Sequence, residues 1–120
     1  MIRATVAVVM ALWAGMLPAQ EAASTGTGAI LRGLDKLTGR STDIAVMNGE
    51  TATFGRVEIT LGECRYPEGD QAGDAYAFLT IREAGEPEPV FRGWMIASSP
   101  ALNALDHQRY DVWALRCTTA

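Results

Sequence analysis

Residues 56–66, RVEITLGECRY, restrict the fold more than any other part of the chain. Val57, Ile59 and Leu61 alternate with Arg56, Glu58 and Thr60, the period of a strand with one face buried. After Gly62 the apolar parity passes to Cys64 and Tyr66. A parity switch at a glycine reads as a β-bulge, which re-aims the second half of the strand. A chain containing such a strand needs partners of the same period, and the flanking sequence supplies them.

DIAVM and ETATF surround Asn48-Gly49, the strongest short-range hairpin pattern. AYAFLTIRE is apolar on both faces, as a central strand covered on each side would be, and Pro87 and Pro89 end it. VFRGWMIAS and RYDVWALRC read as the last two strands, with Trp113, Leu115 and Cys117 on one inward face. AILRGLDKLTGR has near-helical spacing, but Gly33 in its middle favours a strand that turns at LTGR to meet DIAVM. YPEGDQAGD is a loop. These readings predict an all-β domain, a small antiparallel β-sandwich or barrel of six to seven strands. One short helix is expected near the C-terminus, capped by Ser99 with Pro100 at its first position and burying Leu102 and Leu105.

The start of the chain bears on location. Arg3 precedes fourteen uncharged residues, Ala4 to Leu17, and Leu17-Pro18-Ala19 offers a small-residue cleavage site. That is the pattern of a signal peptide and too short to cross a bilayer as a helix. The expected organisation is a signal peptide at 1–19, a flexible leader at 20–28 and a single β domain at 29–120, exported to the periplasm. Loss of Arg3 leaves nine basic against fourteen acidic side chains, a net charge of −5. That balance argues against nucleic acid or anionic lipid as partner, and no later segment reads as a transmembrane anchor. In an exported protein the two cysteines, Cys64 and Cys117, read as one disulfide closing a loop of roughly fifty residues. A metal site from Cys64, Cys117 and His107 lacks any C-x-x-C pair or second histidine. No cofactor motif is present: phosphate-loop and dinucleotide patterns are absent.

GWMIASSPALNALDHQRYDVW, residues 93–113, is the chemically densest stretch. Asp106 and His107 are sequence neighbours whose side chains diverge, so a catalytic arrangement would need His107 with Asp111 or Ser98. No G-x-S-x-G elbow surrounds either serine. Glu58, Glu63, Glu68, Asp70 and Asp74 read as a solvated face and a turn-rich loop rather than paired catalytic acids. The stretch therefore suggests two functions. The favoured one is a non-enzymatic module that binds another periplasmic or envelope protein through Trp94, Met95, His107, Tyr110, Asp111 and Trp113, gathered at one corner. There, replacing His107 would affect binding more than folding. The alternative is a small periplasmic hydrolase-like enzyme using His107 with Asp111 or Ser98.

LDKLTGR, FGRVEITLGECRYP and FRGWMIASSPALNALDHQRYDVWALRC together resemble a family of small exported alphaproteobacterial proteins known only as a domain of unknown function. The resemblance spans about Leu31 to Cys117. In that family proline follows the histidine and serine precedes Gly-Trp, where this chain has Gln108 and Arg92. The resemblance implies a periplasmic destination in a Gram-negative cell and carries over no catalytic residue.

Overall fold

A computed structural model describes residues 22–119; the expected signal peptide, residues 1–19, lies outside them. Alternation dominates the local structure. The described chain forms eight strands: β1 (Ala23–Thr25), β2 (Gly28–Asp35), β3 (Arg40–Met47), β4 (Thr51–Phe54), β5 (Val57–Pro67), β6 (Tyr76–Glu83), β7 (Phe91–Ile96) and β8 (Tyr110–Thr118). Every pairing is antiparallel. One sheet has the order β1-β5-β6-β7, with β4 also on β5, and the other the order β3-β2-β8. Their inner faces share one core, in which Leu31, Ile59, Leu61, Leu79, Ile81, Val57 and Val112 are the largest side chains fully removed from water.

Several expectations hold in detail. Val57, Ile59 and Leu61 point inward, the register slips between Leu61 and Glu63, and Cys64 is buried beyond the bulge. The 28–35 segment is a strand that turns and pairs with β3. Gly33 is required there for contact: a Cβ would fall 2.7 Å from the ring of Phe54, which crosses from the other sheet. Cys64 and Cys117 form a disulfide with 5.6 Å between their Cα atoms. It joins β5 to β8 and so pins one sheet to the other, rather than linking neighbouring strands of one sheet.

Other expectations are corrected. Eight strands occur among the described residues, and the added one is β1, inside the segment read as a flexible leader. Ala23–Thr25 carries no apolar pattern because backbone bonding holds it on Arg65–Pro67. The next residues then bridge the sheets, Gly26 N–H donating to Cys64 O (2.7 Å) and Thr27 N–H to Thr118 O (2.8 Å). The Asn48-Gly49 hairpin does not form, since β4 pairs with β5 and not with β3. Glu50 N–H does close a turn on Met47 O, but only Gly49 has positive φ (+83°). A type I′ turn needs positive φ at both central residues, so this turn is not the one that matches hairpin twist, and the chain changes sheets.

No α-helix occurs among the described residues. After Ser99 the chain makes one turn, Leu102 N–H donating to Ser99 O (3.0 Å), and then continues irregularly. Local side-chain bonds take the place of helical ones. Ser98 gives both its amide and its hydroxyl to Asp74, and Asn103 donates its side-chain amide to Trp94 O on the β7 edge. Leu105 is buried but Leu102 is 71% exposed, so the pair does not share an inward face. The inward face of β8 also differs. Tyr110, Val112 and Ala114 point into the core, and a bulge that leaves Leu115 unpaired brings Cys117 inward. Trp113 lies on the outer face. Finally, β6 buries only Ala77, Leu79 and Ile81; Tyr76 and Phe78 line an outer face that no further layer covers among the described residues.

Candidate functional site

The corner around His107 is built by the ends of both sheets. Its Nδ1 accepts hydrogen bonds from the backbone N–H groups of Arg109 (3.0 Å) and Tyr110 (3.1 Å). A nitrogen accepting two amides carries no proton, so the imidazole proton sits on Nε2, which is bonded to Glu83 Oε1 at the end of β6. Lys36 Nζ, from the chain's only lysine, donates to His107 O at 2.6 Å. The Arg109 guanidinium grips Asp35 with two bonds of 3.1 and 2.9 Å, which hold the Asp35 carboxyl below the usual aspartate range. The buried Tyr110 ring meets Phe54 edge-on at 5.4 Å, and its hydroxyl accepts from Arg56 N–H at 3.2 Å.

A cavity of about 450 Å³ opens here, lined by Arg56, Glu83, Asp106, His107, Arg109 and Tyr110 among others. Neither Ser98 nor Asp111 lines it. Ser98 is held by Asp74 (2.6 Å), and Asp111 Oδ1 accepts from Val112 N–H. The carboxylate at His107 is therefore Glu83, and both ring nitrogens are committed. A general base needs an available lone pair facing the substrate; this histidine spends its own on the backbone. The corner behaves chemically as a clasp joining the β2–β3 turn, the end of β6 and the start of β8. The two cysteine sulfurs are bonded to each other.

The six residues expected to form one interaction surface are not brought together. Met95 and Tyr110 are 2% and 3% exposed, and His107 is mostly covered. Trp113 lies outward on the three-stranded sheet beside Asp111, at a shallow groove of about 380 Å³ that also touches Pro100 and Ala104. Trp94, 39% exposed, projects from the outer face of the other sheet. The corner was inferred from closeness in sequence, but strand alternation sends neighbours to opposite faces.

Around Trp94 the structure assembles a group that sequence reasoning missed. Phe78 of β6 pairs across to Trp94 of β7, their rings edge-to-face at 5.3 Å. Arg65 of β5 lies over the Trp94 ring at 6.0 Å, and Arg92 lies over Phe78 at 5.7 Å. Glu63 accepts from Arg65 Nε at 2.9 Å. A shallow depression of about 310 Å³ beside this row is lined by Ala23, Arg65, Tyr76, Trp94 and Ile96. The signal was present in the parity of YAFLT and FRGWM, where Tyr76, Phe78, Arg92 and Trp94 share the face opposite the core.

These features define a small all-β domain of two antiparallel sheets joined by a disulfide, with an arginine-braced aromatic row on one outer face. A family described as "uncharacterized protein conserved in bacteria" (DUF2155) matches residues 29–117, and the chain belongs to that family. An uncharacterised protein of Rickettsia prowazekii is 33% identical over 87 residues, covering 70% of this chain. The matched region spans 56% of that relative's length. No solved structure matches the chain. No helix among the described residues is long and apolar enough to cross a membrane.

Proposed function

We propose that the chain is a non-enzymatic periplasmic module that binds another envelope protein through the outer face of its five-stranded sheet. One observation carries this reading: Trp94 stands exposed at the centre of a row in which arginines brace each ring. A solvated sheet face has no need of a tryptophan, whereas interfaces are enriched in aromatic and arginine side chains. The signal-peptide pattern at the N-terminus supports the periplasmic destination. The hydrolase-like alternative gains no support from the geometry, because Ser98 and Asp111 are engaged away from the His107 cavity.

A photo-crosslinking amino acid placed at Trp94 in cells producing the protein tests the reading. It should give a discrete adduct, while the same group at Leu37, which is 74% exposed on the β2–β3 turn, gives none. Identical patterns from both positions, or no adduct at Trp94, would end it.

A further inference from the structure

We infer that the Trp94 face recognises an extended acidic segment of the partner protein, with two carboxylates set fewer than about five residues apart around an apolar side chain. This rests on the docking reading above and specifies its chemistry. The Trp94 and Phe78 rings meet edge-to-face, with an interplanar angle of 69°, so they do not form a flat platform. Each ring also carries a guanidinium above it. A sugar stacking on such rings would first have to displace the arginines. What the face presents instead is two braced forks, whose stacking limits the freedom lost on binding. Planar forks of this kind match carboxylates.

Charge points the same way. The whole chain carries −4, yet the outer face of these strands sets Arg65, Arg82 and Arg92 against only Glu58 and Glu63. Arg65 gives only its Nε to Glu63, and Arg92 makes no ion pair among the described residues. A carboxylate-bearing partner is the complement of that imbalance.

Register sets the spacing. Arg65 is opposite Tyr76, and Arg92 is opposite Thr80, four residues further along β6. Two strand spacings across and four residues along place the arginine Cα atoms roughly 16–17 Å apart on the diagonal. The side chains lean inward, Arg65 over Trp94 and Arg92 over Phe78, so the guanidiniums lie closer together than that. An extended chain covers the Cα diagonal in about five residues, so carboxylates that meet both guanidiniums are fewer than about five residues apart. Phe78 occupies the middle of the diagonal, with Trp94 beside it, where an apolar side chain of the segment would rest.

The test is selection of a randomised displayed peptide library on the protein purified with its disulfide intact. The expected result is enrichment of peptides with two acidic residues fewer than about five positions apart around an apolar one. A Glu→Gln version of an enriched peptide should bind about tenfold more weakly, as should the Arg65→Gln and Arg92→Gln proteins. Both variants are surface changes and should melt at the wild-type temperature.

Selection without acidic enrichment, or selected peptides that bind both variants as well as wild type, overturns the inference. So does an immobilised oligouronide that binds this face more tightly than any selected peptide, which would assign the carboxylates to a glycan. Concentration-dependent self-association abolished by Arg92→Gln would make a second copy the occupant and also overturns it. A Trp94 adduct without any acidic requirement leaves the docking reading standing and removes only this inference.

Discussion

At the scale of the residue, His107 changes meaning most between sequence and structure. As the chain's only histidine in a polar stretch it invited a role at a site, with little consequence for folding. Its two backbone bonds reverse that expectation. His107→Ala strands the amides of Arg109 and Tyr110 and should cost about 2 kcal/mol of stability, measured by urea unfolding. His107→Asn, which can offer an oxygen to the same amides, should recover part of the loss; an unchanged midpoint for the alanine variant would refute the clasp. Asp35 gives a pH dependence. Its carboxyl is held below the ordinary value by Arg109, so its contribution is fully present above about pH 4 and is lost as pH falls through the depressed value. Asp35→Asn should therefore be less stable than wild type at neutral pH and show a shallower decline below about pH 4, followed by circular dichroism. Neither role was legible in the sequence. The partners of His107, Asp35 and Lys36 come from segments far apart in the chain, and no local period reports such contacts.

At the scale of the element, what was legible was whatever depends on side-chain alternation. The β5 pattern and its bulge at Gly62 follow from the parity of apolar residues, and the structure keeps both. Elements defined by backbone bonds or by local motifs were read less well. Asn48-Gly49 fits a hairpin by composition, but Asn48 instead donates its amide to Gly26 O (2.8 Å), anchoring the preceding segment. Ser99-Pro100 fits a helix start, but Ser98 and Asn103 hold the loop to its neighbours before a helix can continue. The consequence is measurable. Ser99→Ala, which would cost about 1 kcal/mol at a helix cap, should change stability by less than about 0.5 kcal/mol. A larger loss by thermal melting would mean that the Ser99 side chain has a role beyond the turn. For the candidate site, the sequence marks Trp94 by its place in the aromatic-rich stretch 93–113. Its true companions, Phe78, Arg65 and Arg92, required the cross-strand register.

At the scale of the whole molecule, the disulfide is the one covalent tie between the sheets besides the backbone itself. The cysteines are 53 positions apart, so the chain-entropy model gives a stabilisation of about 4 kcal/mol. Reduction, or replacement of both cysteines by alanine, should lower the denaturant midpoint accordingly; an unaltered midpoint would show that the sheets hold together without it. The topology has a further effect, on timing. β2 has β8 as one of its two neighbours, and Thr27 bonds to Thr118, 91 positions later. Synthesis delivers β2 early and β8 last. Until Thr118 emerges, the three-stranded sheet lacks one of its edges and Cys64 has no thiol to meet. A nascent chain can assemble β5, β6 and β7 first, but the three-stranded sheet closes only once β8 has been made, and contacts of such long sequence separation form slowly. A protein so ordered completes its core only when β8, the last of the described strands, is in place against β2.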